Sequence, residues 1–165
     1  MSERVRVYKG RALARYGFGD DHPFGPDRHD VFHDGLMEAG MDVEVSYADP
    51  CDGDRELLAL FHTDAYIERV ASASATGSGW LDAGDTPAFP GVYDAAATVV
   101  GTVRHAVDAI MTGECRTSFV PIAGLHHARR DSAGGFCVFN DCGIAVEYLR
   151  REYGLKRIAR SEERR

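Results

Sequence analysis

The chain alternates short apolar stretches with longer segments whose apolar residues recur at helical spacing. Alternating side chains over 5–8 and 43–47 predict two strands, the β-rich run 117–122 predicts a third, and a further strand is expected to begin at 156–159. Helices are expected between these strands, over 27–39, 54–61, 66–70, 92–111 and about 142–153. Because strands alternate with helices, the pattern predicts an α/β fold with a mainly parallel sheet.

Two long segments lack this periodicity. One runs from Gly10 through Pro26 and is rich in Gly, Asp and Pro, and the other covers 71–91. Long ordered loops in compact domains are often functional, so the segment 16–23 is a candidate site on length alone. The loop after Ile122 would lie beyond the carboxyl end of a parallel strand, where such sheets carry their functional loops.

Charge and cysteine usage narrow the function classes. The 165 residues contain 19 Lys and Arg against 26 Asp and Glu, a formal net charge of −7. This balance argues against binding to nucleic acid or an anionic membrane, both of which favour basic surfaces. A histone tail or a polyamine would be attracted, but modest acidity is more often a feature of solubility. Four irregularly spaced cysteines and no signal peptide predict reduced thiols and a cytoplasmic protein.

The densest group of chemistry-bearing residues follows the third predicted strand. His126 and His127 are adjacent there, and imidazole is the natural proton carrier near neutral pH. Two histidines alone are more often structural or incidental, so both interpretations stay open on the pair itself. The pair opens the run His-His-Ala-Arg-Arg-Asp-Ser-Ala-Gly-Gly-Phe-Cys-Val-Phe-Asn-Asp over 126–141.

This run resembles the motif of the histone deacetylase superfamily, which has two histidines, basic residues, Gly-Phe-Cys, an aromatic residue and Asn-Asp. Upstream, 16–28 is similar to the family's N-terminal loop and first helix, and 84–87 followed by the long helix from Val92 falls in the family's order. The resemblance covers essentially Val5 to Ala159 and is nearest to prokaryotic acetoin-utilisation deacetylases and acetylpolyamine amidohydrolases. It implies an arginase/deacetylase-like three-layer fold, with helices flanking a mainly parallel sheet.

The resemblance also implies roles for particular residues. His126 and His127 match the catalytic dyad, in which one histidine is the general base for a zinc-bound water and the other assists electrostatically or protonates the leaving amine. Gly135 and Phe136 match the lining of the tunnel that takes the acyl-lysine stem. Asp85 matches a loop carboxylate that grips substrate backbone amides in some members, and a turn-capping role in its own loop is equally open.

The chain departs from the family where zinc would be bound. In the family, the strand that would continue from Ala159 carries the motif Asp-x-Asp-x-His-His-Gly-Asp, from which an Asp and a His bind zinc. This chain has the charged run Arg160 to Arg165 at that place. No metal ligand is therefore assigned, and zinc, the cofactor of the complete family fold, is not expected to bind this chain well. The acidic partners that orient the dyad in the family are expected to be absent as well. A zinc site formed by the dyad together with Cys137 and Cys142 would match no common zinc-binding spacing. The favoured interpretation is that these two cysteines are buried thiols.

Three functional hypotheses follow. The first is a zinc-dependent amidohydrolase that removes acetyl groups from acetyl-lysine or acetylated polyamines, present here as a single truncated domain over 1–165 that is inactive alone. The second is a non-catalytic module that binds acyl-lysine, and the third is a structural subunit that completes a split deacetylase. An incomplete sheet edge on the C-terminal side predicts a marginally stable chain that self-associates or needs a complementary C-terminal chain.

Overall fold

The computed structural model describes residues 5–19 and 22–162. In this part of the chain, three strands alternate with six α-helices. The strands are β1 (Val5–Tyr8), β2 (Val45–Ala48) and β3 (Ser118–Phe119), and the helices are α1 (Arg11–Ala14), α2 (Arg28–Glu38), α3 (Arg55–Leu58), α4 (Asp64–Thr76), α5 (Val92–Met111) and α6 (Asp141–Glu152). None of the helices in this described part combines the length and the apolar character needed to cross a membrane.

The three strands form one parallel sheet in the order β2-β1-β3. Strand β1 pairs with β2 along its whole length, from Val5 opposite Val45 to Tyr8 opposite Ala48. It pairs with β3 at only two positions. Parallel neighbours cannot be joined by a tight hairpin, so helices make the connections and flank the sheet. The α/β class and the parallel sheet predicted from the periodicity are confirmed.

The longest helix, α5, organises the core and contacts β3 as well as α1, α3, α4 and α6. Midway along it, the helix meets the loop that follows β2. A Cβ atom on Gly101 would overlap the backbone of Asp52 and Gly53, so this contact requires a glycine. Beside it, the Thr98 hydroxyl donates a hydrogen bond to Asp52 Oδ1 at 2.7 Å. The loop after β2 therefore lies directly on the helix backbone.

Several predicted boundaries are wrong. Helix α4 continues to Thr76 through a stretch predicted as loop, because Thr63 caps its start and Gly77, at φ 63°, ends it. The small residues that suggested a loop are alanines and serines that a helix accommodates. The short helix α1 lies within the predicted 10–26 loop, and β3 has two residues where six were expected.

The strand predicted over 156–159 does not form. After α6 the chain continues to Glu162 without joining the sheet, so β3 is an edge strand within the described residues. Phe119 on this edge is 46% exposed. A segment forms a strand only where a neighbouring strand pairs with its backbone N–H and C=O groups, and β3 offers only two residues for such pairing.

Candidate active site

The loop between β3 and α6 carries the histidine pair, and Asn140 fastens it to the start of α6. The Asn140 Oδ1 caps the helix by accepting a hydrogen bond from Gly143 N at 2.7 Å. Its Nδ2 donates to the carbonyl oxygens of His126 at 3.1 Å and Ala128 at 2.7 Å. One amide side chain therefore satisfies the helix end and positions the backbone on either side of His127.

Asp141 makes the second attachment. It is 1% exposed, and its Oδ2 accepts hydrogen bonds from the backbone N–H groups of Gly124 at 2.9 Å and Leu125 at 3.1 Å. Burial raises the pKa of its carboxyl group. Its place in the first turn of α6 favours a negative charge, because the helix N-terminus carries partial positive charge. Asn140 and Asp141 belong to the motif quoted above, but sequence reasoning had assigned them no role.

The two histidine rings lie against each other, with centroids 4.3 Å apart. His126 Nδ1 is 2.8 Å from the carbonyl oxygen of Gly124. A carbonyl only accepts hydrogen bonds, so Nδ1 carries the proton and the lone pair of neutral His126 is on Nε2. The ring of His127 packs over Gly135, where a Cβ atom would lie 3.0 Å from His127 Cγ. A larger residue at 135 would displace the histidine.

A cleft of about 760 Å³ opens beside His127. Asp85 and Gly135 line the same cleft, together with Arg69, Arg129 and Asp82. Three of the five residues assigned from the resemblance thus meet at one surface. His126 and Phe136 are not among its lining residues. The cleft wall carries both signs of charge and includes the imidazole of His127.

The loop 82–86 forms one wall of the cleft. Asp82 Oδ1 accepts hydrogen bonds from the N–H groups of Gly84 at 3.0 Å, Asp85 at 3.0 Å and Thr86 at 2.9 Å. Asp82 therefore caps this turn. Asp85 also takes part in the hydrogen bonding of the loop, because its Oδ1 lies 3.1 Å from Thr86 Oγ1. The carboxyl group of Asp85 is exposed at the cleft, and contact with Asp82 raises its pKa.

Gly135 and Phe136 are the central residues of a tight turn between Gly134 and Cys137, whose backbones exchange hydrogen bonds of 3.1 and 2.9 Å. Both have positive φ, 53° and 68°, as a type I′ turn requires. A phenylalanine in this conformation is strained, so its surroundings must hold it there. Phe136 N donates to Thr86 Oγ1 at 3.2 Å, which ties this turn to the loop of Asp85.

The N-terminal loop contributes two residues to this region. The Tyr16 hydroxyl is fully buried, donates to the carbonyl oxygen of Phe136 at 2.7 Å and accepts from Val138 N at 3.0 Å. His22 packs edge-on against Phe136, with centroids 4.5 Å apart, and its Nε2 is 3.2 Å from the Asp85 carbonyl oxygen. The segment 16–23 was a candidate on length, and both residues lie at its ends; Asp20 and Asp21 are outside the described residues.

His62 is a buried support for the histidine loop. Its Nε2 accepts a hydrogen bond from Asn140 N at 2.9 Å, and its Nδ1 is 3.3 Å from the Arg130 carbonyl oxygen. This arrangement requires a neutral imidazole with the proton on Nδ1. Burial lowers the pKa of His62 to about 4.

We expect this histidine to make folding stability depend on pH. Its pKa is about 6.5 in the unfolded chain and about 4 in the folded chain, so between these values the unfolded state binds the extra proton. The free energy of unfolding should fall by up to about 3 kcal/mol as the pH drops from 6.5 to 4. Urea unfolding at several pH values measures this loss.

The comparison protein is His62→Gln. It should be less stable at pH 7 but lose less stability on acidification. His33, whose pKa burial also lowers, contributes a loss of the same sign to both proteins, so the difference isolates His62. Equal pH slopes would contradict the assignment.

The structure gives the dyad an acidic neighbour that the sequence did not predict. Glu162 Oε1 lies 3.1 Å from His126 Nε2. Among the described residues, the one group of three or more potential ligands whose donor atoms lie within 4.8 Å of one another is His126, His127 and Glu162. Glu162 stands in the charged run after Ala159, which sequence reasoning had treated as a replacement for functional residues. No spacing rule links it to the histidines 35 and 36 positions earlier.

Comparisons with known proteins address the family and the fold of the chain. The family model of the histone deacetylase domain matches residues 22–160. The chain is 33% identical to the acetoin utilization protein AcuC of Bacillus subtilis over 163 residues, which cover 94% of this chain and 42% of the relative. It is 32% identical to histone deacetylase 8 of Xenopus tropicalis over 135 residues, 78% of this chain and 37% of that protein.

The fold has a solved counterpart in the crystal structure of the HDA15 HD domain. The TM-score is 0.77 at 22% identity, over 88% of this chain and 43% of that one. The parallel sheet flanked by helices is therefore a deacetylase-type α/β fold. The chain belongs to the histone deacetylase family and spans about 40% of the length of the curated relatives it matches.

Proposed function

We propose that this chain forms the histidine dyad and one cleft wall of a zinc-dependent amidohydrolase for acetyl-lysine or acetylated polyamines, and that the 165-residue chain does not hydrolyse them alone. The observation that carries the proposal is the cleft shared by His127, Asp85 and Gly135. The similarity to AcuC and histone deacetylase 8 supports the reaction class.

Amide hydrolysis requires a proton to leave the attacking water and a proton to reach the leaving amine. His127 lines the cleft, so we assign it proton transfer at the substrate. His126 lies beside it, with Nδ1 bonded to Gly124 and Nε2 facing Glu162, and supports it electrostatically. Gly135 leaves room for the His127 ring, and the exposed carboxylate of Asp85 suits amide N–H groups or a cationic polyamine at the cleft rim.

The histone deacetylase family is zinc-dependent, and zinc supplies such enzymes with a Lewis acid and an activated water. The residues described here do not fit that role. The three donors that lie together include both dyad histidines, and a histidine that binds metal through its lone pair cannot use that lone pair as a general base. The dyad and a catalytic metal would need separate donors, which supports the proposed lack of activity.

An acyl-lysine-binding module is the second candidate. It is favoured by the same observation, because the cleft and its turn are formed within this chain by hydrogen bonds such as Phe136 N to Thr86 Oγ1. Binding needs the cleft alone, whereas hydrolysis also needs an electrophile.

The test combines turnover and binding. Hydrolysis of an acetyl-lysine peptide and of an N-acetylated polyamine is measured with the purified chain, with stoichiometric zinc and again with chelator. We expect no turnover above the chelated sample. Binding of the same ligands is followed by NMR, and Asp85→Asn should weaken it by about tenfold, as loss of one charge-assisted hydrogen bond implies. Asp34→Asn, an exposed change on α2, is the control.

Two results would overturn the proposal. Chelator-sensitive turnover that is lost in His126→Ala and His127→Ala would show that the chain is active by itself. Absence of binding to both ligands would show that the cleft does not serve acylated amines.

A complementary C-terminal chain or self-association, and a cytoplasmic location, stay part of the proposal. The short edge strand β3 with the exposed Phe119 supports a partner at that edge. The four cysteines are free thiols, which supports a reducing compartment.

A further inference from the structure

His126 Nε2 faces an oxygen atom that cannot donate a hydrogen bond unless it is protonated. His126 Nε2 itself is buried and makes no hydrogen bond within the described part of the chain, although Glu162 Oε1 is 3.1 Å away. Because Nδ1 donates to Gly124, a neutral His126 presents a lone pair to the carboxylate. Two acceptors at this distance need a proton or a cation between them.

His127 supplies a third donor. One ring nitrogen of each histidine and one oxygen of Glu162 all lie within 4.8 Å of one another. In a tetrahedral zinc site, bond lengths of about 2.0–2.2 Å separate neighbouring ligand atoms by about 3.4 Å. The His126–Glu162 separation is already close to this value, so small side-chain rotations would complete a three-ligand set.

The hydrogen bond of His126 also matches the usual surroundings of a metal-bound histidine. Such histidines generally donate the second ring N–H to a carbonyl or carboxylate, which fixes the tautomer and turns the other nitrogen to the metal. The Gly124 carbonyl has this position. That backbone is itself held by the buried Asp141, through Gly124 N.

We propose that His126, His127 and Glu162 bind one divalent transition-metal ion, with Zn²⁺ as the representative ion. Two imidazole nitrogens and one carboxylate are a donor set that zinc accepts, and it leaves a fourth position for water. The site is built from the dyad itself and does not depend on the proposed amidohydrolase function. It differs from the expectation that zinc would not bind this chain well.

Arg160 competes with a metal ion for Glu162 and lowers the affinity of this site. Its guanidinium lies 3.4 Å from Glu162 Oε2, whereas Oε1 is the oxygen that lies near His126. A bound ion would occupy lone pairs of both dyad histidines. Metal binding and proton transfer by the dyad therefore exclude each other on this chain.

The test is direct titration of the untagged 165-residue chain with ZnCl₂ by calorimetry, after removal of metal with chelator. We expect one ion per chain and at least about tenfold weaker binding in Glu162→Gln and in His127→Gln, since each lacks one of three ligands. Glu56→Gln, which removes an exposed carboxylate outside the cluster, should bind like the parent chain. Circular dichroism verifies that each variant is folded.

Cobalt provides a second readout, because Co²⁺ in a site of low coordination number absorbs visible light. Titration with Co²⁺ should produce this absorption in the parent chain and in Glu56→Gln but not in Glu162→Gln. Absence of zinc binding, or equal affinity of Glu162→Gln and the parent, overturns the proposal and leaves a histidine–carboxylate ion pair. Neither result depends on hydrolysis of any substrate.

Discussion

Replacement of Asp141 by alanine is expected to lower the free energy of unfolding by about 2–4 kcal/mol. The carboxylate is 1% exposed and accepts the N–H groups of Gly124 and Leu125. Alanine would leave both donors buried without an acceptor and would remove a favourable charge from the first turn of α6. Urea unfolding followed by circular dichroism measures the loss.

The effect should reach the histidine pair, because Gly124 also holds His126 Nδ1 through its carbonyl oxygen. We expect the imidazole NMR signals of His126 and His127 to shift in folded Asp141→Ala. Asp131→Ala, an exposed change in the same loop, is the control and should leave both stability and signals nearly unchanged. Equal stability of the two variants would show that Asp141 does not fasten the loop.

Gly101→Ala is expected to destabilise the chain by about 2–3 kcal/mol, because overpacking against a neighbouring segment outweighs the better helix propensity of alanine. The new methyl group would overlap the backbone of Asp52 and Gly53. Backbone atoms cannot rotate away as a side chain does, so the loop after β2 must move off α5. That movement would break the hydrogen bond from Thr98 to Asp52.

Gly35→Ala is the matched control. Gly35 is also within a helix, α2, but beyond its own neighbours and the local helix backbone, no atom of the described residues lies within 4 Å of the position of its Cβ. Here alanine should stabilise the chain by about 0.5–1 kcal/mol through helix propensity alone. A stabilising effect at both positions would mean that α5 and the 52–53 loop are not in contact.

The histidine pair and the glycine beneath it could be identified from the sequence because they belong to one continuous motif. His127 and Gly135 are eight positions apart, and a tight turn returns the chain between them. Asp85 could be selected only through the family's order of segments. Asp82, three positions earlier, is also an aspartate, and it caps the turn while Asp85 stays exposed. The local sequence does not decide which of the two aspartates caps the turn.

Glu162 could not be identified from the sequence, for a different reason. It stands in a run of charged residues, where each side chain looks solvated, and its approach to His126 depends on the path of the chain after α6. A strand at 156–159 would have placed this part of the chain in the sheet. The segment instead stays outside the ladder, and its end meets the dyad.

The sequence by itself determined the alternation of strands and helices and the identity of the histidine motif, because periodicity and short-range turns depend on neighbouring residues. Only the tertiary structure decided the lengths of α4 and β3, the close approach at Gly101, the cleft that His127 and Asp85 share, and the approach of Glu162 to His126. These features join residues that are far apart in the chain. Their distances follow from how the helices pack on the sheet, and local propensity contains no information about that packing.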